Sequence, residues 1–196
     1  ALILFCILPP AVNFGRMDIL VLAGILAMGS KYLIAWRGKH IFNPAAFAAA
    51  ALALLGLSGA VWWVSDPLLL PFVLILGLLV VRKLRRFKMF LGFASAALVV
   101  MLLMAMSSQQ PLDQVIINAF TAWPLLFLGT IMLTEPSTTP PHGRQRMVYG
   151  TLVGVLFAAQ LKLGPVIIAP EFALLLGNLY SYAVSSKYKT RLKLKE

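Results

Sequence analysis

The sequence predicts an all-α, polytopic membrane protein with about eight transmembrane helices, some of them broken at proline. Three observations carry that expectation. Apolar residues make up 61% of the chain, charged ones only 12%, and the mean hydropathy is +0.91. The apolar residues fall in runs of about span length, separated by short polar breaks. The basic residues collect in alternate breaks.

Residues 1–10 read as the end of a helix whose beginning is missing, because the apolar run opens with no charge before it. Residues 17–36 form a second span, with Lys31 near enough to its end to snorkel. Arg37, Gly38, Lys39 and His40 make a basic turn. A third span, 43–64, opens on Asn43 and Pro44, a good N-cap followed by proline at the first helical position. Trp62 and Trp63 read as an interfacial aromatic belt. A short fourth span, 67–81, leads into the densest basic loop: Arg82, Lys83, Arg85, Arg86 and Lys88. Spans five to eight cover 89–107, 115–133, 148–163 and 165–184. Thr130, Asn178 and Ser181 are expected to serve as hydrogen-bonding glue between helices, and Gly92, Gly150 and Gly154 as points of close packing. Glu171, near the start of the eighth span, is expected in water or paired with Lys162.

Alternation places fourteen of the seventeen basic residues on one side, which is therefore cytoplasmic. The net charge of +11 is mainly a topology signal, so nucleic acid is not an expected partner; the lipid bilayer is. Cys6 stands alone, which excludes an internal disulfide and a cysteine-rich metal site. His40 and His142 both fall in loops, which argues against a bis-histidine haem between helices.

The stretch 134–149 is the focus of the chain. It holds Glu135, the hydroxyls of Thr134, Ser137, Thr138 and Thr139, three prolines, and Arg144 and Arg146. Pro136, Pro140 and Pro141 fix φ and lack an N–H, so the chain is expected to be non-helical here. At membrane depth such backbone is tolerated where protein buries it or a wet cavity borders it. Hydroxyls beside arginines suit an anionic group such as a phosphate. Lys39, His40 and Asn43 lie on the same predicted edge, at a helix N-terminus that itself favours anions. The candidate cofactor-binding residues are thus Lys39, His40, Asn43, Thr134, Glu135, Ser137, Thr138, Thr139, Arg144 and Arg146, with no catalytic residue and no metal ligand among them.

Three segments carry a resemblance: FNPAAF at 42–47, LFLGTIMLTEPSTTPPHGRQRMVYGTLVG at 126–154, and PEFALLLGN at 170–178. In order and spacing they resemble the NqrB/RnfD family, membrane subunits of the sodium-pumping NADH:quinone oxidoreductase and of the Rnf complex. The resemblance implies a helical electron-transfer domain that binds flavin. Members of that family often carry FMN on a threonine of an outer loop. The corresponding loop here, 107–114, has no threonine, so the flavin, FMN or riboflavin, is expected to be non-covalent.

The expected function is membrane electron transfer, as part of a flavin-dependent oxidoreductase in the inner membrane of a prokaryote. Electrons would come from a cytoplasmic NAD(P)H or ferredoxin reductase, as a domain or a subunit, and pass to an acceptor such as quinone. The alternative is a small-solute transporter or channel built on broken helices. Residues 1–186 are expected to form the membrane domain and 187–196 a basic cytoplasmic tail. In that tail Leu192 and Leu194 alternate with charges, a strand pattern. LKLKE resembles the first strand of a ferredoxin-reductase-type domain, so the tail is expected to begin such a domain.

Overall fold

The computed structural model describes residues 2–9, 17–36, 39–159, 162–163, 166–167 and 169–186. The expectations for the tail 187–196, for Arg37 and for the Lys162 side chain lie outside the described residues, while Glu171, expected in water or paired with Lys162, is buried and not in water. Apart from two two-residue hairpins, every regular element among the described residues is helical, so the all-α class holds.

The centre of the fold is a pair of helices, α5 (Phe87–Ser107) and α8 (Gly143–Ala159), which cross in intimate contact. Glycine allows it. A Cβ on Gly150 would run into the Met89 carbonyl, and one on Gly154 into the Phe93 carbonyl. Apolar helices associate in this way, through small residues that let backbones approach. Phe93 and Phe157 fill the space beside the crossing at 5.4 Å between ring centroids. Helix α9 (Pro170–Ser186) lies on α8, with Gly177 against Val153 and Tyr149. It also touches α3 (Pro44–Leu54), which packs on α2 (Met17–Leu33).

Several expected spans are shorter or more broken than the hydropathy implied. Helix α1 (Leu2–Ile7) has six residues. Its Ile7 carbonyl accepts the Val61 and Trp62 N–H groups at 2.9 and 3.3 Å, and the Phe5 carbonyl accepts the Trp63 indole N–H at 2.6 Å. Trp62 is therefore buried in the packing and does not belong to a surface belt. After α2 the basic turn is a small antiparallel hairpin of β1 (Ala35–Trp36) and β2 (Lys39–His40). Helix α3 stops at Leu54, because Gly56 turns the chain with φ +67°. Residues 43–64 are consequently not one helix.

Helix α4 (Leu70–Lys83) ends on Arg82 and Lys83, whose charge suits the negative end of the helix dipole. The expected sixth span is broken in the middle. Pro124 lacks an N–H and its ring clashes with a helical carbonyl four residues back, so α6 (Leu112–Thr121) ends before it. The chain resumes as α7 (Leu125–Phe127) and runs on as a π-helical turn, Leu128–Met132, closed by the Leu133 N–H on the Leu128 carbonyl at 2.8 Å. The two halves are bent by 55°. Helix α8 begins at Gly143, five residues before the expected 148, because Pro141 is the last proline before it and residues 142–159 contain none. Arg144 and Arg146 therefore lie on a helical turn and not on irregular backbone.

Among the described residues α5 alone is long and apolar enough to cross a bilayer unbroken, and the bent α6–α7 pair passes the same length and composition test together. Helices α2, α8 and α9 have 17 residues each.

Candidate functional site

The end of α2, the start of α3, the end of α4 and the segment after the π-turn meet at one end of the helical assembly. Glu135 stands at the centre. One carboxylate oxygen, Oε2, accepts the Asn43 amide N–H at 2.9 Å and the Thr138 hydroxyl at 3.4 Å. The other, Oε1, accepts the Ser137 hydroxyl at 3.1 Å and lies 3.0 Å from His40 Nε2. Ser137 Oγ and His40 Nε2 are themselves 3.0 Å apart. The three groups form a closed triangle, and the carboxylate is fixed from four sides.

Asn43 has two duties that follow from its two side-chain atoms. Its Oδ1 caps α3, accepting the Ala45 and Ala46 N–H groups at 3.1 and 3.0 Å. Its Nδ2 turns to Glu135. Its own backbone N–H is taken by Asn178 Oδ1 of α9 at 2.8 Å, and Asn178 Nδ2 donates to the Tyr149 hydroxyl of α8 at 2.9 Å. Asn178 and Tyr149 are wholly buried, and Asn43 is 2% exposed. A buried amide left unpaired would cost several kcal/mol on the order of its transfer free energy, so this chain of bonds fixes α3, α8, α9 and the Glu135 segment in one arrangement.

The polar cluster forms part of the floor of a cavity of about 770 Å³. Its walls are mainly apolar and come from α1, α2, the first turn of α3 and the end of α4, with Ile131. Asn43, Thr134 and Glu135 reach it from one side and the Lys31 side chain from another. On the other side of Glu135, Lys39 and His40 border a notch of about 20 Å³ with Ser137, Thr138 and Ser181, room for roughly one water.

Of the residues expected at the site, His40, Asn43, Glu135, Ser137 and Thr138 are joined by direct hydrogen bonds. Thr134 lies against the cavity but gives its hydroxyl to the Thr130 and Ile131 carbonyls at 2.6 and 3.2 Å, which closes the π-turn. Lys39 is exposed at the notch. Thr139 faces away and accepts from the Arg86 guanidinium. Arg146 grips the loop from below, donating to the Pro140 and Pro141 carbonyls at 2.9 and 2.8 Å. Arg144 is exposed beside Met147, Val148 and Thr151, on a different face from Glu135.

Sequence reasoning passed over Lys31, Arg86 and Tyr149 as site residues and read Asn178 only as helix glue. Asn178 and Tyr149 did carry a signal: an amide and a phenol in otherwise apolar helices each need a buried partner. Arg86 was hidden among four neighbouring cations, with nothing in the sequence to mark it as the buried one.

Comparison of the chain with protein-family models and with curated proteins gives no match.

Proposed function

We propose that this chain is a membrane electron-transfer domain of the NqrB/RnfD kind, holding FMN or riboflavin non-covalently near the cytoplasmic face. The observation that carries the reading is the cavity of about 770 Å³ with apolar walls and a fixed polar floor. Its size lies within the ordinary range for cofactor sites, roughly 300–1,000 Å³. An isoalloxazine ring needs flat apolar contact on its faces and directed hydrogen bonds at its pyrimidine edge. Glu135 borders the cavity and can accept the ring's N3–H in exchange for one of its internal hydrogen bonds, Asn43 holds that carboxylate in place, and the Lys31 cation favours the negative charge that gathers on a reduced ring. The protein positions and tunes the flavin; electron transfer is the ring's own chemistry.

The membrane part of the reading is supported by the outer surface. Val21, Ile25 and Met28 on α2, Phe72, Ile75 and Leu79 on α4, and Leu91, Val99 and Leu103 on α5 are all exposed. Apolar surface of that extent suits lipid better than water. Eight segments, α3 and the α6–α7 pair being broken ones, bring the Glu135 end to the cytoplasmic side of a prokaryotic inner membrane. A cytoplasmic NAD(P)H or ferredoxin reductase, as a domain or a subunit, delivers the electrons, and quinone is the candidate acceptor.

A second reading, a small-solute transporter or channel, is favoured by one feature, the 55° break between α6 and α7. Flavin titration separates the two. The purified protein is incubated with FMN or riboflavin and freed of excess ligand, and bound flavin is read from its absorption bands. The redox reading requires about one flavin per chain and a clear loss of it in Glu135→Gln. A chain that takes up neither flavin refutes the redox reading.

A further inference from the structure

A second pocket, of about 390 Å³, lies between the α4–α5 turn and the first turn of α8. Arg82, Arg85, Arg86, Lys88 and Arg146 border it, and no Asp or Glu among the described residues does. The turn that gathers these cations is tight: the Arg85 and Arg86 N–H groups return to the Arg82 and Val81 carbonyls at 3.1 and 2.9 Å. The N-termini of two long helices, α5 at Phe87 and α8 at Gly143, open toward the same space. Each presents unpaired N–H groups and a partial positive charge.

Topology explains exposed cations at this end of the fold, but not Arg86. Its side chain is only 7% exposed and its Nε has no hydrogen-bond partner. Thr139 takes its Nη1. Arg146, anchored by the Pro140 and Pro141 carbonyls, is held at the rim of the same pocket. Burial, reinforced by the Arg146 charge, pulls Arg86 down to about 10. A buried guanidinium with an idle donor, next to a second fixed cation and without a carboxylate, is an arrangement completed by an anion of high charge density.

We propose that this pocket binds a phosphate ester, whose oxygens are received by Arg86 and Arg146 and drawn in by Arg82 and Arg85. The site needs no flavin and stands apart from the cavity over Glu135. Its ligand is either the headgroup of an anionic phospholipid or the phosphate of a soluble compound.

The test uses protein extracted from membranes, freed of lipid and examined by native mass spectrometry in two arms. One arm titrates inorganic phosphate. The other offers nanodiscs of phosphatidylcholine with and without phosphatidylglycerol. Arg82→Gln/Arg85→Gln removes two exposed cations and leaves the buried packing alone; Arg86→Gln tests the buried one, with thermal unfolding confirming that each variant is folded. Retention of phosphatidylglycerol over phosphatidylcholine, weakened about tenfold or more in the variants, supports the site and assigns it to lipid. Phosphate binding without lipid preference, weakened likewise, supports the site and assigns it to a soluble ester. Binding of neither, or undiminished binding in folded variants of both kinds, overturns the proposal.

Discussion

Replacing Asn43 should reveal whether its two roles are separable. Asn43→Ala removes the acceptor for the Ala45 and Ala46 N–H groups and the donor to Glu135 together. A lost N-cap costs about 1 kcal/mol and a lost hydrogen bond to a charged group about 1.5–3, so the variant should be less stable by roughly 2–4 kcal/mol. For a chain of this length that is a fall in Tm on the order of 5–15 °C. Asn43→Asp is more telling. It keeps an acceptor for the cap but sets a second carboxylate where the amide stood 2.9 Å from Glu135 Oε2. It should lose at least as much as Asn43→Ala despite its intact cap. Adding Glu135→Gln should then restore much of the loss, because the new amide can donate to Asp and the repulsion is gone. Thermal unfolding of detergent-solubilised protein, followed by tryptophan fluorescence across this double-mutant cycle, measures the coupling. An Asn43→Asp variant as stable as the parent, or strictly additive effects in the pair, would show that the Asn43–Glu135 bond does not couple the two sites.

Three further expectations test other parts of the fold. Gly150→Leu and Gly154→Leu should abolish recovery of folded protein, since their Cβ atoms would strike the Met89 and Phe93 carbonyls; normal yields of both would remove the α5–α8 crossing from the account. With Cys6 replaced, Ser108→Cys should react with an impermeant thiol reagent from the outer side, and reaction from the cytoplasmic side alone would invert the proposed topology. Arg86, faced by Arg82, Arg85, Lys88, Arg146 and the Tyr149 hydroxyl, has its folded-state value depressed to about 10. The unfolded chain therefore holds more protons above that value, so stability should rise as pH climbs from about 10 toward the ordinary arginine range, while phosphate binding weakens over the same interval. Falling stability there, in the parent but not in Arg86→Gln, would contradict the assignment.

The sequence was most readable where one kind of signal acted alone. Residues 89–107 form an uninterrupted apolar run, and α5 covers nearly the same stretch. Asn43-Pro44 is a cap by local chemistry, and it is a cap. The polar cluster around Glu135 was legible because a carboxylate and several hydroxyls at the end of an apolar run need partners, and five of the expected residues did find one another. Hydropathy misled where it averaged over breakers. Pro124 and Gly56 each stand inside an apolar window, yet one ends α6 and the other turns the chain after α3. Arg144 and Arg146 were grouped by nearness in sequence, but successive even positions on a helix point to different faces, and α8 sends one to the surface and the other to the loop carbonyls. The bond from Asn178 to Tyr149 joins residues 29 apart in the chain, and only the packing of α9 on α8 brings them together.

A photoreactive azidoflavin locates the proposed flavin site. The protein is loaded with the probe, irradiated and digested, and the labelled peptides are identified by mass spectrometry. Labels should fall on the walls of the Glu135 cavity, at residues 27–31, 80–84 and 131–136, and should be displaced by riboflavin or FMN. A separate pocket of about 320 Å³ beside Ser107, Ser108 and Asn118 should stay unlabelled, and no flavin should remain with residues 107–114 after denaturation. Labels confined to residues 101–118, or spread over the lipid-facing helices and not displaced by flavin, would place no flavin in the Glu135 cavity.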